Sequence, residues 1–362
     1  MQPGILLGST VVSTSIAGAR AWRVHYASQD YQGNPTESTG LVIAPEDDGQ
    51  DRPLLTWCHG TTGLGDAACP SIQVDPAREL AIYFSPESTA SIDYGIPGLQ
   101  SFVDAGWIVC ATDYQGLGTP GMHHYMVNRT NALDALNIAH VVRGMSIGAG
   151  RRLGCMGWSQ GGGAAAALAE LDAEHLRELA LVGTVAMSPG LIPLADPASL
   201  GAALAAPTGP PDAHLVMLIA GAAAANPQLK LSDMLTPLGQ SIVEEAWNTQ
   251  AVHHLQDTLG RLFRLKGPII EVKTSAVGSW REAIAAGSAL HRRPGCPVHV
   301  AMDTFDGGIV VPVAWQQAYV SAVSALGGTV TSQEYPNDDH FSLPASCVSD
   351  AQAWLTPLFA AT

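Results

Sequence analysis

The stretch Cys155-Met156-Gly157-Trp158-Ser159-Gln160-Gly161-Gly162-Gly163 decides how the rest of the chain is read. It contains Gly-x-Ser-x-Gly, with an apolar run before it and the alanine-rich segment Ala164 to Ala169 after it. That is the order strand, sharp turn, helix, and it lifts the Ser159 hydroxyl out at the top of a parallel sheet. Glycine is needed at 157 and 161 for a steric reason: side chains there would clash where strand and helix nearly touch. The letters alone are also those of an ordinary glycine-rich turn before a helix. The rest of the chain must therefore supply the other parts of a site.

Outward from this stretch, strand and helix patterns alternate, which predicts an α/β fold with a mainly parallel sheet. Ala21 to Ala27 and Ser38 to Ala44 read as early strands, separated by the turn-rich Asp30 to Pro35. Pro53 to Trp57 is a third, and it ends on His59-Gly60-Thr61-Thr62-Gly63. Gly106 to Thr112, Arg152 to Trp158, Leu181 to Met187, Pro297 to Met302 and Gly328 to Tyr335 complete the set. Helical spacing appears at Asn131 to Met145, Val313 to Leu326 and Ser349 to Leu358. From about Leu191 to Arg293 the alternation breaks into short, alanine- and leucine-rich helical segments, and between Gly201 and Gln228 the only charged residue is Asp212. A structureless insertion of that length would be unstable, and no fixed repeat marks a solenoid. The expectation is a helical cap of residues 191–293 lying over the sheet of a core made of residues 1–190 and 294–362.

The 362 residues suffice for a large core; 47% are hydrophobic and 14% charged, the composition of a globular chain. Net charge is −15, from 17 basic and 32 acidic residues, and no basic cluster exceeds Arg292-Arg293, which argues against a nucleic-acid partner. The longest apolar stretch, Leu215 to Ala225, is about half the ~20 residues a membrane span needs. The start, Met1-Gln2-Pro3-Gly4-Ile5, lacks the order of a signal peptide, so the expectation is a cytoplasmic chain or one numbered after a removed leader. Cys58, Cys110 and Cys155 sit in strand-like runs, where a buried free thiol is the default. Cys69, Cys296 and Cys347 lie in loop-like contexts with room for one disulfide. No Cys-x-x-Cys spacing marks a zinc or redox site.

Acyl transfer through a serine needs a nucleophile, a base, an acid to orient the base, and donors for the oxyanion. Candidates for all four occur in the order Ser, Asp, His. Ser159 is the nucleophile. The base is His340, in the polar loop Tyr335-Pro336-Asn337-Asp338-Asp339-His340-Phe341 beyond the last strand. His123-His124 and His253-His254 read as surface or pocket residues. The acid is sought in Asp303-Thr304-Phe305-Asp306-Gly307-Gly308, at the carboxyl end of a strand, where ligands bind in open α/β sheets. Both Asp303 and Asp306 qualify by position. Oxyanion donors are backbone N–H groups: that of Gln160, at a helix N-terminus, and that of Thr61, with Thr62 close behind, in the loop after the third strand.

These motifs resemble the secretory lipase family, the lipase A type of α/β-hydrolase, in its bacterial branch. The resemblance rests on Pro3-Gly4, Ala19 to Val24, His59 to Gly63, Cys69-Pro70-Ser71, Thr112 to Gly118, Gly157 to Gly162, Tyr335-Pro336 and Asp339-His340. It implies the α/β-hydrolase fold with a helical cap inserted after the sixth strand, a carboxylic-ester hydrolase (esterase or lipase) without metal or organic cofactor, and a small-molecule ester substrate. By the family's Gly-Thr-x-Asp before Val-Pro, the acid is Asp306, although Asp303 replaces a glycine and Gly307-Gly308-Ile309 lengthens the loop before Val311-Pro312. Two competing readings are an acyltransferase using the same triad with an alcohol in place of water, and a non-catalytic α/β-hydrolase fold that binds a small ligand. The latter would predict loss of the serine or histidine, and both are present. Oligomeric state is not legible.

Overall fold

The computed structural model describes residues 2–192, 209–305 and 310–360. Nine strands form one sheet: β1 (Leu6–Val12), β2 (Ala19–Gln29), β3 (Pro35–Pro45), β4 (Arg52–Cys58), β5 (Ile108–Thr112), β6 (Ala149–Trp158), β7 (Ala180–Met187), β8 (Val298–Asp303) and β9 (Val330–Tyr335). Their spatial order is β1-β2-β3-β5-β4-β6-β7-β8-β9. The first three strands and the β3–β5 pair are antiparallel, and every neighbour from β5 to β9 is parallel. The expected strands are all present. β1 was not legible, because it is a largely exposed edge strand with no buried face to impose an alternating pattern.

Parallel neighbours require crossovers, and helices supply them. These are α1 (Leu99–Asp104), α2 (Asn128–Gly144), α3 (Gln160–Leu168) and the single turn α4 (Ala173–Leu176), with four more among the described residues between β7 and β8: α5 (Ala213–Ala225), α6 (Pro237–Ala246), α7 (Val252–Lys266) and α8 (Val277–Gly287). α9 (Val313–Ala325) joins β8 to β9, and α10 (Leu343–Ala360) closes the chain. Successive residues of the central strands feed opposite cores. Leu54, Ile108 and Cys155 join one cluster with α2 and α3, while Leu55, Val109 and Met156 join another with α1 and α10. Both faces are covered, so these strands read as unbroken apolar runs rather than alternating ones.

The helices between β7 and β8 have a third apolar cluster of their own. Val216, Ile219, Ile242, Leu255, Leu259 and Trp280 pack there, joined by Leu64 and Tyr125 from loops at the edge of the sheet. Their starts are locally encoded. The Asp212 carboxylate accepts the N–H of His214, and Thr236 accepts that of Gly239 with Pro237 in the first turn. All six cysteines are buried free thiols, so Cys69, Cys296 and Cys347 form no disulfide. Burial in the core pushes the Cys69 and Cys347 thiols well up. No described helix is long and apolar enough to cross a membrane.

One contact governs how β6 meets α3. A Cβ on Gly161 would stand 1.9 Å from the Cys58 carbonyl oxygen, and one on Gly157 would stand 2.0 Å from that of Gly161. Neither obstacle is a side chain that can swing away. Gly161→Ala is therefore expected to lower unfolding free energy by about 3 kcal/mol, measured from urea midpoints at constant slope. Gly278→Ala, in α8 with nothing near its added Cβ, should leave stability unchanged or slightly raised.

Candidate active site

The parallel strands deliver their carboxyl ends to one edge of the sheet, where Ser159, Asp303 and the turn carrying His340 lie. Ser159 follows β6 directly and stands at φ 58°, ψ −118°. This left-handed backbone costs a non-glycine residue on the order of 1–3 kcal/mol, and tertiary bonds hold it in place. Its N–H donates to the Met187 carbonyl at 3.0 Å, and its carbonyl accepts from Gly163 at 3.1 Å and Gly190 at 2.8 Å. Ser159 lines a cavity of about 280 Å³.

His340 lies in the turn between β9 and α10, 2% exposed. The Asp339 side chain accepts the N–H groups of Phe341 and Ser342, which forms this turn from local sequence. The Trp158 indole N–H donates to the His340 carbonyl at 3.0 Å, tying the histidine to the residue before Ser159. The imidazole lies 5.2 Å from the Trp158 ring and edge-on to Phe341. Its Nδ1 faces two oxygens: the Asp303 carboxylate at 3.4 Å and the Ser188 hydroxyl at 2.9 Å.

Asp306, the acid that the family match favours, falls outside the described residues, and the carboxylate facing His340 is that of Asp303. Asp303 is the last residue of β8, paired with Tyr335 of β9, and this ladder position fixes its side chain at the edge of the sheet where His340 lies. Its second oxygen accepts the Gln316 amide at 2.7 Å, while the same amide also donates to the Val311 carbonyl. Burial raises the Asp303 carboxyl, but the neighbouring His340 and Ser188 side chains and the Gln316 amide outweigh it and hold the group below the ordinary carboxylate range. It is an anion in a fully buried position.

Gln160 opens α3 and Thr61 sits in the loop beyond β4, both buried. Neither backbone N–H finds an acceptor among the described residues. The Thr61 hydroxyl meets the Tyr125 hydroxyl at 2.8 Å, and Tyr125 lines the cavity together with Ser159. Gly60 lets this loop lie against Trp158, whose ring a Cβ there would approach to 2.7 Å. Beyond Tyr125 the cavity wall includes Ile192, Leu215, Leu218, Val311 and Trp315, with Asp212 and His214 on its polar side.

Sequence reasoning missed Ser188, Gln316 and His123. Ser188 follows the apolar run of β7 as Asp303 follows the apolar run ending at Met302, so the strand-end logic applied to Asp303 would have found it. Gln316 is one polar residue on a helix and gives no such signal. His123, expected at the surface or in the pocket, is completely buried, whereas His253 is half-buried and stacked on Tyr83. Among the described residues no group of three or more His, Cys, Asp or Glu side chains is arranged to hold a metal ion.

Residues 83–193 match the model of the secretory lipase family. Among solved structures the chain is similar to the rice cell wall degrading esterase LipA from Xanthomonas oryzae, with a TM-score of 0.74 at 17% identity over 99% of each chain. It is also similar to Candida antarctica lipase A in its closed state, with a TM-score of 0.75 at 13% identity over 99% of this chain and 83% of that one. No curated protein sequence matches. At these identities the structural likeness is one of fold. The fold is that of the α/β-hydrolases, and the resemblance carried by the motifs is borne out.

The depressed Asp303 carboxyl links stability to pH. Unfolded, the group takes up a proton near pH 4; folded, it does so only at lower pH, so its stabilisation is full above that range and lost as pH falls through the folded value. The stability of the native protein relative to Asp303→Asn is expected to shrink steadily below about pH 4, measured by urea unfolding at stepped pH. A difference that does not vary with pH would contradict an ionised Asp303.

Proposed function

We propose that the protein is a serine carboxylic-ester hydrolase that works through an acyl-enzyme on Ser159, with His340 as general base and Asp303 as the acid that orients it. The observation that carries this reading is the convergence of the strained Ser159 turn and the buried Asp303–His340 pair at one end of a parallel sheet. The match of residues 83–193 to secretory lipases supports the same class of reaction.

In this mechanism His340 Nε2 takes the Ser159 proton as the hydroxyl oxygen attacks the ester carbonyl. The tetrahedral oxyanion is held by the N–H groups of Gln160 and Thr61, preorganised donors that need no rearrangement when charge develops. The imidazolium then protonates the departing alcohol, leaving an ester on Ser159. Water enters, His340 removes its proton, and collapse of the second tetrahedral intermediate releases the acid. Asp303 keeps the proton on Nδ1 and stabilises the imidazolium without accepting that proton itself. Ser188 and Gln316 hold the carboxylate in register.

Residues 191–293, of which 193–208 lie outside the described residues, form a cap over a core of residues 1–190 and 294–362 in this reading, supported by helices α5 to α8. Leu215, Leu218 and Trp315 supply an apolar wall beside Ser159, suited to a hydrophobic acyl or alcohol group. A bulky side chain at Leu218 shortens the space available. Leu218→Trp is therefore expected to shift preference in a panel of p-nitrophenyl esters toward shorter chains while sparing acetate. An unchanged chain-length profile would detach this wall from the substrate.

The reading as a whole is tested with the same esters and a fluorophosphonate. Ser159→Ala is expected to abolish turnover and labelling with the fold retained, and Asp303→Asn should cost on the order of 10⁴ in turnover. A folded, fully active Ser159→Ala protein would overturn the mechanism. Phosphonate attached to another residue would move the nucleophile.

A further inference from the structure

The peptide unit joining Ser159 to Gln160 carries the N–H that the proposed mechanism aims at the oxyanion. Its carbonyl end is pinned by two backbone donors, Gly163 and Gly190. Its other end continues into the Gln160 side chain, which is 1% exposed and runs into a buried polar chain away from the cavity. The Gln160 amide nitrogen lies 2.7 Å from His123 Nε2 and 3.3 Å from the Asn131 side-chain oxygen. His123 Nδ1 lies 2.9 Å from the Gln115 carbonyl.

The donors and acceptors along this chain have one consistent assignment. A carbonyl oxygen only accepts, so His123 carries its proton on Nδ1. Burial pushes this imidazole down to about 3, so it is neutral at ordinary pH and Nε2 is a bare acceptor. The Gln160 amide therefore donates to it. Asn131 agrees, because its own amide nitrogen donates to the His124 carbonyl and leaves its oxygen free for Gln160.

His123 itself has little freedom. Its N–H donates to the Leu64 carbonyl at 2.9 Å, and its ring stacks on Tyr114 at 5.5 Å and 12°. The Gln115 side chain grips the same segment by bonding the Met122 carbonyl and the His124 N–H, and the Gln115 N–H is held by the Asp134 carboxylate. Orientation thus passes from α2 through the loop after β5 to the first residue of α3.

We propose that His123 is a positioning residue for the oxyanion hole: by accepting the Gln160 side-chain amide, it fixes the direction of the Gln160 backbone N–H. This rests on the reading of Gln160 as an oxyanion donor. It gives the Gln115 and His123 positions a role in turnover although neither touches the substrate. Because the donor matters only when charge develops, loosening it should act on kcat rather than on KM.

The test combines steady-state kinetics on p-nitrophenyl butyrate, affinity for a phenylboronic acid, and ¹⁵N NMR of the histidine rings. His123→Leu removes the acceptor, and Gln160→Met removes the donors at nearly constant volume. Losing an oxyanion donor outright costs about 10²–10³ in kcat; each of these variants should cost roughly tenfold, with KM changed less than about twofold. Boronate affinity should fall by the same factor as kcat. The double variant should be no worse than the poorer single one, since both cut the same bond. In the native protein the His123 ring should show a protonated Nδ1 and a bare Nε2 that do not titrate near neutral pH.

Losses confined to KM, an unchanged boronate affinity, or fully additive kcat losses would each overturn the proposal. If His123→Leu does not fold, Gln160→Met carries the kinetic test alone. A native protein that neither hydrolyses the ester nor takes the phosphonate on Ser159 would sink the hydrolase reading instead. The ring spectrum would still report whether the His123–Gln160 bond exists.

Discussion

The closeness of α3 to the ends of β4 and β6 is the constraint on which the site depends. The helix approaches until a methyl group at Gly161 would meet the Cys58 carbonyl and one at Gly157 would meet Gly161. That approach leaves the chain between strand and helix a single residue in which to reverse, and Ser159 takes a left-handed conformation to do so. The strain is sustained because the Ser159 peptide groups are bonded to Met187, Gly163 and Gly190. The same geometry places Ser159 on the wall of the cavity and sets the first N–H groups of α3 beside it, where helix ends present unbonded donors.

A second constraint is the anion at the end of β8. Burying a carboxylate is costly unless hydrogen bonds and an opposite charge replace water. At Asp303 the replacement comes from three elements: His340 from the turn before α10, Ser188 from the end of β7, and Gln316 from α9. Each is separated from Asp303 by a long loop or a crossover, so only the assembled sheet brings them together. In the proposed mechanism this carboxylate faces the charge that general-base catalysis creates on the imidazole. The Trp158 indole adds rigidity by bonding the His340 backbone, leaving the ring free to face its partners.

The apolar helices between β7 and β8 play a different part. Their cluster is closed by Leu64 and Tyr125, residues that belong to the loops after β4 and β5. Tyr125 meets this cluster, the Thr61 hydroxyl and the cavity at once. The packing of these helices is thereby mechanically joined to the loop that holds one proposed oxyanion donor. In a chain of net charge −15, the near-absence of charge in α5 reflects burial of that helix on almost every side.

Read from the residues alone, the sequence determined the elements whose cause is local. Gly-x-Ser-x-Gly between an apolar run and an alanine-rich segment specifies the turn, because only glycine tolerates that contact. The apolar runs of β4 to β8 specify a sheet covered on both faces, and the polar residues Asn337 to Asp339 specify the turn that carries His340. What the sequence left open was each choice made by packing across the sheet. The exposed edge strand β1 has no buried face to leave a pattern. His123 looks like a surface histidine until Tyr114 and the Gln115 carbonyl enclose it. Asp303 stands three residues from Asp306, and spacing does not separate two carboxylates in one loop. The pairing of Asp303 with Tyr335 does, because a residue locked into the ladder has a fixed direction for its side chain, and that direction points to His340.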